Sequence, residues 1–252
     1  MGLRHAGLLI SKLGSDAQAR LAELSSSGIS ISTLITGGFD LSNRDSWEAT
    51  RAAHRHAVDL VAAENGNSIY FTSGRTVRLD WDEDFALLAE AVAPSVSYGL
   101  QKGVKVALEP SQRTSVSFVT TLSDAVDVAN ETGLAIVADF ANCWSERGLA
   151  ASFKRAAPHL ALLQIDDIII GSTKRPAPGG RAHVGAGELP LRRMLQDVLD
   201  AGYSGVFDLE VVPADFTSAT DEAELRSGIE AASALLYELG ISGLRMGEKI
   251  HV

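Results

Sequence analysis

Four short stretches decide the fold: Val104-Lys-Val-Ala-Leu-Glu-Pro110, Ala135-Ile-Val-Ala-Asp-Phe-Ala141, Leu162-Leu-Gln-Ile-Asp-Asp167 and Phe207-Asp-Leu-Glu-Val-Val212. Each is a short, mostly apolar run that ends at an oxygen-bearing side chain, namely Glu109, Asp139, Gln164 or Glu210. Near-continuous apolar runs of this length are what parallel strands covered on both faces look like. Working outward, further strands are expected at Leu3–Ile10, Ile29–Thr36 and Ser68–Ser73, and the four stretches extend to Val104–Glu109, Leu134–Asp139, Leu160–Asp166 and Gly205–Val212. Ala/Leu-rich segments alternate with them near Asp16–Ser26, Ser46–Glu64, Phe85–Lys102, Leu149–Ala157, Pro190–Ala201 and Glu222–Leu239. Thr121-Leu-Ser-Asp124 resembles a capping box and opens one more helix, which Gly133 closes.

Strict β–α alternation implies parallel strands joined by right-handed crossovers. A closed eight-stranded barrel and a doubly wound open sheet both satisfy it. The chain has no G-x-G-x-x-G after a strand and no P-loop, the usual marks of a nucleotide-binding open sheet. Its 252 residues match the size of one barrel domain spanning 1–252. The strands read from the sequence are one short of eight. Either the loop Gly171–Gly187 hides a strand, or the first β/α unit is absent and a partner chain or rearranged segment covers the gap. Exposed strand edges are usually covered, so a homo-oligomer is expected.

Composition narrows the function. A hydrophobic content of 46% supports a sizeable core and excludes global disorder. The net charge of −10 disfavours general binding to nucleic acid or anionic membranes. A small anionic substrate remains compatible, because distant charges are screened beyond about 10 Å. Cys143 is the lone cysteine, so it forms no internal disulfide or cysteine-based metal cluster, and a reducing cytoplasm is the expected setting. The start carries no signal-peptide pattern, and no run approaches the roughly 20 apolar residues of a membrane span.

In β/α barrels chemistry sits at the C-terminal ends of the strands, where Glu109, Asp139, Gln164 and Glu210 stand. Carboxylates at that depth are costly unless paired or bound to a cation. Several converging on one mouth call for a counterion, and oxygen-only ligation favours Mn²⁺, Mg²⁺ or Co²⁺. The alternative reading of each acid alone is a helix cap or a partner of a nearby base.

The succession ALEP, VADFAN, LLQIDD, HVGAGELPL and GYSGVFDLEV resembles the xylose-isomerase-like TIM-barrel superfamily of sugar (phosphate) isomerases and epimerases. The likeness spans about Ile29 to Leu239 and is most distinctive over Gly185–Glu210. It implies one divalent metal held by Glu109, Asp139, Gln164 and Glu210. It also implies that Glu109 and Glu210 act as acid and base on opposite faces of a sugar. Many members have a substrate-contacting histidine where Asn142 stands here. The implied reaction is isomerisation or epimerisation of a ketose, keto-polyol or sugar phosphate by proton abstraction next to a carbonyl. A dehydratase acting at the same site and an inactive barrel serving as a binding subunit are the alternatives.

Lys174, Arg175, Arg181 and His183 form a basic cluster in this acidic chain. They read either as a substrate-contacting cap, with Arg181 and His183 nearest the site, or as a solvated loop. Gly185 and Gly187 would give a tight path that aims Glu188 or backbone amides inward. Asp166, two residues beyond Gln164, shares its strand face and reads as an orienter of the ligands or as a surface turn. Lys105 shares a face with Glu109 and is expected to pair with an acid such as Asp208 rather than form a Schiff base. Cys143 reads as an inert thiol. His54 and His56, two apart on a helix, make a poor metal pair.

Overall fold

A computed structural model describes residues 5–171, 180–210 and 218–241. Seven strands form one parallel sheet in chain order: β1 (His5–Leu9), β2 (Ser30–Ile35), β3 (Ser68–Phe71), β4 (Lys105–Leu108), β5 (Ala135–Asp139), β6 (Leu160–Ile165) and, after a hairpin, β9 (Val206–Leu209). Strand order equal to chain order is the signature of a β/α barrel. The barrel is nearly closed. Gly7 of β1 lies so near β9 that a Cβ on it would sit 3.7 Å from the Asp208 carboxylate. Among the described residues the sheet thus holds one strand fewer than eight.

Helices α1 (Ala17–Ser26), α2 (Trp47–Ala63), α3 (Trp81–Lys102), α4 (Leu122–Thr132), α5 (Phe140–Cys143), α6 (Leu149–Ala156), α7 (Leu191–Asp200) and α8 (Ser218–Glu238) fill the connections. Their boundaries follow local chemistry. Thr121 accepts from the Asp124 amide and caps α4, and Gly133 ends it at φ 75°. Helix α3 begins four residues before Phe85. Asp80 accepts from the Glu83 amide, and three acidic residues occupy the first turn, where they favour the positive end of the helix dipole.

The loop 171–187 does contain a strand, but not an eighth barrel stave. Here β8 (Gly180–Ala182) pairs antiparallel with β7 (Asp167–Ile169), making a hairpin separate from the barrel sheet. The register sets Ile168 opposite Arg181. Lys174 and Arg175 lie outside the described residues, as do Leu3 and the end of the last expected strand at Val211–Val212.

Two apolar cores result. The larger joins the outer strand faces to the helices, through residues such as Ile69, Leu108, Ile136 and Leu163 packed against Val58, Leu88 and Phe153. The smaller fills the barrel interior with Tyr70, Ala107, Val137, Ala161 and Leu162. That interior cluster is the floor on which the polar side chains at the mouth stand. No helix among the described residues is long and apolar enough to cross a membrane.

Candidate active site

Period-two alternation delivers the polar side chains to the mouth. Ala107, Val137 and Leu162 point into the barrel, and two residues further along each chain stand Glu109, Asp139 and Gln164. Another step of two brings Asp166 to the same face, and Val206, Asp208 and Glu210 repeat the pattern from β9. Strand pairing places Asp139 directly beside Gln164, and Gln164 beside Asp208.

The carboxylates of Asp139, Asp166 and Glu210 converge, with one oxygen of each within 4.8 Å of the others. Glu109 joins this trio through Asn142. The Asn142 amide nitrogen donates to Glu109 Oε1 at 3.1 Å and to Asp139 Oδ2 at 2.5 Å. Its oxygen accepts from Ser111 Oγ at 3.1 Å and from the Gln112 amide at 3.4 Å. Buried Asn142 therefore spans two acids and has no donor to spare. The Ala141 amide is shared by Asp139 Oδ1 at 2.7 Å and Asp166 Oδ1 at 2.9 Å. That geometry exists because Asp139 caps the one-turn helix α5, an element the sequence reading lacked.

Arg181, carried on β8, reaches into the same cluster. Its Nη2 lies 3.2 Å from both Asp139 Oδ2 and Glu210 Oε2, and Nη1 pairs with Asp166. Only 11% of its side chain is exposed. One guanidinium thus faces three carboxylates. His183 is half-buried on the same segment.

Gln164 is held from one side only. Its amide nitrogen donates to the Tyr70 hydroxyl at 3.0 Å, and its side chain also bonds Asp208. Its oxygen is buried and has no hydrogen-bond partner. An amide oxygen left bare among carboxylates fits a cation ligand, because a buried acceptor without a partner carries a desolvation cost of about 1–3 kcal/mol. The donor set is all oxygen: Glu109, Asp139, Gln164 and Glu210, with Asp166 adjoining. Tyr70 and Asp208 support this set from one step deeper than the mouth, where no apolar run ends to mark them in the sequence.

Burial and crowding raise the acids. Glu109 is pushed well above the usual carboxylate range by burial first, then by Asp139 and Glu210, against the pull of Arg181 and Arg113. Burial first and Asp139 next push Glu210 up to about 7, opposed by Arg181. Burial raises Asp208, and its bond from Gln164 works the other way. Two glutamates poised above their ordinary range, on neighbouring parts of one mouth, are suited to proton transfer near neutrality.

Two secondary readings, for Lys105 and Glu188, need correction. Lys105 is not paired with Asp208: its Nζ donates to the Leu160 carbonyl at 3.1 Å at the other end of the barrel, and burial lowers it. Glu188 is exposed and accepts from the Ile170 amide instead of aiming inward. The backbone amides of the glycine-rich run do turn inward, but toward Asp167. Its carboxylate accepts from the amides of Ile168, Gly185, Gly187 and Leu189 at 2.9–3.1 Å. A Cβ at Gly187 would lie 2.1 Å from Asp167 Oδ1, so the close approach requires glycine there. His54 is a buried core residue bonded to Ser95 and to the Gly37 carbonyl, and His56 is exposed. Cys143 is buried, which pushes its thiol up and leaves it unreactive.

With this geometry in place, residues 8–235 match the family model described as xylose isomerase-like TIM barrel, and the chain belongs to that family. No curated protein matches the sequence significantly. Among solved structures, protein SMc04130 from Sinorhizobium meliloti 1021 is 20% identical with a TM-score of 0.80, covering 93% of this chain and 89% of its own. The IolI protein with a binding zinc atom is 16% identical with a TM-score of 0.76, covering 93% and 88%. D-psicose 3-epimerase in the presence of D-fructose is 18% identical with a TM-score of 0.71, covering 95% and 90%. At these identities the likeness is one of fold.

Proposed function

We propose that this chain is a divalent-metal-dependent isomerase or epimerase of a ketose, keto-polyol or sugar phosphate, acting in a single barrel domain in the cytoplasm. The observation that carries the reading is the convergence of three carboxylates within 4.8 Å beside a buried, unpartnered amide oxygen. The relatives support it: one solved structure of this fold binds zinc, and another is a ketose epimerase crystallised with a sugar.

Glu109, Asp139, Gln164 and Glu210 would hold the metal. A divalent cation bound there would polarise a carbonyl and the neighbouring hydroxyl, making the C–H between them more acidic. Mn²⁺, Mg²⁺ and Co²⁺ suit an all-oxygen set, and zinc joins the candidates through the IolI comparison. Glu210 and Glu109 then divide the proton chemistry. One carboxylate removes the proton from carbon, leaving an enediolate, and the other returns it from the same or the opposite face. Asn142 holds Glu109 and Asp139 at a fixed separation. Arg181 and His183 would contact the substrate's hydroxyls as Asp166 orients the guanidinium. A second copy of the chain covering the open side between β1 and β9 completes the proposal.

The test is solvent exchange. Protein loaded with each metal in turn is incubated in D₂O with a panel of ketoses, keto-polyols and their phosphates. Deuterium is expected at the carbon next to the carbonyl. Absence of exchange across the panel refutes the reading. Loss of water from a keto-polyol in place of exchange makes the protein a lyase.

A further inference from the structure

The oxygens of the mouth divide into two groups according to what already touches them. Asp139, Asp166 and Glu210 each bring one oxygen to within 4.8 Å of the other two, a grouping able to hold one cation. That place is filled by a side chain. Arg181 Nη2 stands 3.2 Å from both Asp139 Oδ2 and Glu210 Oε2, and Nη1 pairs with Asp166. The second group lies on the other side of Asp139. Gln164 is 1% exposed, stands beside Asp139 in the strand register, and keeps a buried oxygen without a partner. Glu109 is tied to this side through Asn142.

Two features make the guanidinium a fixture of the mouth. The first is its carrier. Arg181 sits opposite Ile168 in the β7–β8 hairpin, and the Asp167 carboxylate holds the amides of Ile168, Gly185, Gly187 and Leu189 on either side of that pairing. The second feature is Asp166. It accepts from the Ala141 amide at 2.9 Å and pairs with Arg181, yet it stands outside the set Glu109, Asp139, Gln164 and Glu210 that would hold the metal. Its charge is therefore matched to the arginine. The charge count agrees. Glu109, Asp139, Asp166 and Glu210 put four carboxylates at one mouth. A divalent ion alone would leave two of those charges uncompensated, whereas the ion and the guanidinium together leave one.

We propose that Asp139, Asp166 and Glu210 form a divalent-cation site that Arg181 permanently occupies, so that the mouth has two cation places and accepts one exchangeable ion. The inference rests on the metal-dependent reading and deepens it by fixing the number of ions. A guanidinium suits the place because it is always charged and more weakly hydrated than an ammonium, so it can remain buried among carboxylates. Taking it away leaves three acids without their cation, and their oxygens are the hard donors that Mn²⁺ or Mg²⁺ prefers. A second divalent ion in its place would bring the four carboxylates to neutrality.

Elemental analysis of protein gel-filtered after equilibration with excess Mn²⁺ tests it by counting ions. The unaltered chain is expected to hold one Mn²⁺, Arg181→Ala two, and Arg181→Lys, which keeps a cation on the same stem, one. Excess Mn²⁺ favours the folded form of Arg181→Ala, since the incoming ion returns the missing charge. Should that variant not fold, Arg181→Met keeps the packing of the stem and carries the same expected count. Sharing Asp139 and Glu210, the two ions should give a spin-coupled Mn²⁺ spectrum that the unaltered chain lacks. Adding Asp166→Asn to Arg181→Ala should weaken the second ion at least roughly tenfold and leave the first in place. A count that stays at one without Arg181, or reaches two with it, overturns the proposal. So does faster hydrogen exchange at Gly185, Gly187 and Leu189 when the unaltered chain takes up Mn²⁺, because the ion would then be expelling the arginine. The two readings fail separately. No metal in the unaltered chain but one ion in Arg181→Ala refutes the metal-dependent isomerase and leaves the occupied site standing. One ion in both, with deuterium exchange on ketoses, does the reverse.

Discussion

Replacing Glu210 with glutamine tests the electrostatics of the site most directly. In the metal-free chain Glu210 holds its proton up to about pH 7, against an ordinary value of 4.5. At about 1.4 kcal/mol per pH unit, that rise is worth about 3 kcal/mol. The folded chain binds the proton more tightly than the unfolded one, so stability falls as pH climbs from 4.5 toward 7. Above 7 the whole cost is present, and below 4.5 none of it is. Glutamine carries no charge at any pH and keeps an oxygen for Arg181. With 23% of the side chain exposed and a weaker partner left for Arg181, the net gain at pH 8.5 should be roughly 1–2 kcal/mol. For a domain of this size that raises Tm by roughly 2–8 °C. At pH 5.5, still above the pI near 5.0, the gain should be less than half as large. Scanning calorimetry in chelator at both pH values reads the difference. Metal affinity, measured by titration, should fall at least roughly tenfold, as expected for losing a charged ligand. A Glu210→Gln protein destabilised equally at both pH values, or binding metal as tightly as before, would refute the reasoning.

Arg181→Met strips three carboxylates of their shared cation and should cost the metal-free protein roughly 3–5 kcal/mol. Because a bound metal would replace that charge, the Tm gap between metal-free and metal-loaded protein should widen. Equal losses in both forms would show that Arg181 is not the counterion. Asp167→Asn removes a charged acceptor from four backbone amides and should cost roughly 2–4 kcal/mol. Hydrogen exchange should then quicken at Gly185, Gly187 and Leu189, and unchanged protection there would contradict the anchoring role. Tyr70→Phe takes the hydroxyl from the Gln164 amide and should weaken metal binding about tenfold while costing about 1 kcal/mol of stability. An unaltered titration curve would mean that Gln164 is not oriented through Tyr70.

The barrel was legible because its strands are buried on both faces, and such strands announce themselves as apolar runs stopping at a polar end. The acids at those ends were legible for the same reason, since Glu109, Asp139 and Glu210 each break a run that has no local use for charge. What the runs could not convey was pairing. Nothing in the spacing of Arg181 from Asp139, Asp166 and Glu210 says that one guanidinium meets all three, because that meeting depends on the pairing of β7 with β8. The apolar signal of helix α3 begins only at Phe85, whereas its first turn is made by Asp80 and the acids after it. Asn142 was legible as a position but not as a bridge. A single amide nitrogen has two hydrogens, and only the folded mouth shows that each is spent on a different carboxylate.

The adjacent pair Asp166-Asp167 ties these observations into one device. Neighbouring residues of an extended segment point to opposite sides, so the two carboxylates cannot share a task. Asp166 turns into the mouth and takes Arg181, whereas Asp167 turns away and gathers the amides of the glycine run. The hairpin that delivers Arg181 is thus pinned by the residue next to the one that receives it. Gly187 completes the arrangement, since any side chain there would strike Asp167 and push the hairpin off its anchor. A shift of one residue anywhere in this segment would exchange the two acids, leaving Arg181 without its partner and the glycine amides without an acceptor. That mutual dependence explains why LLQIDD and HVGAGEL occur together in one stretch of chain: the first supplies both acids, and the second supplies the backbone that only one of them can hold.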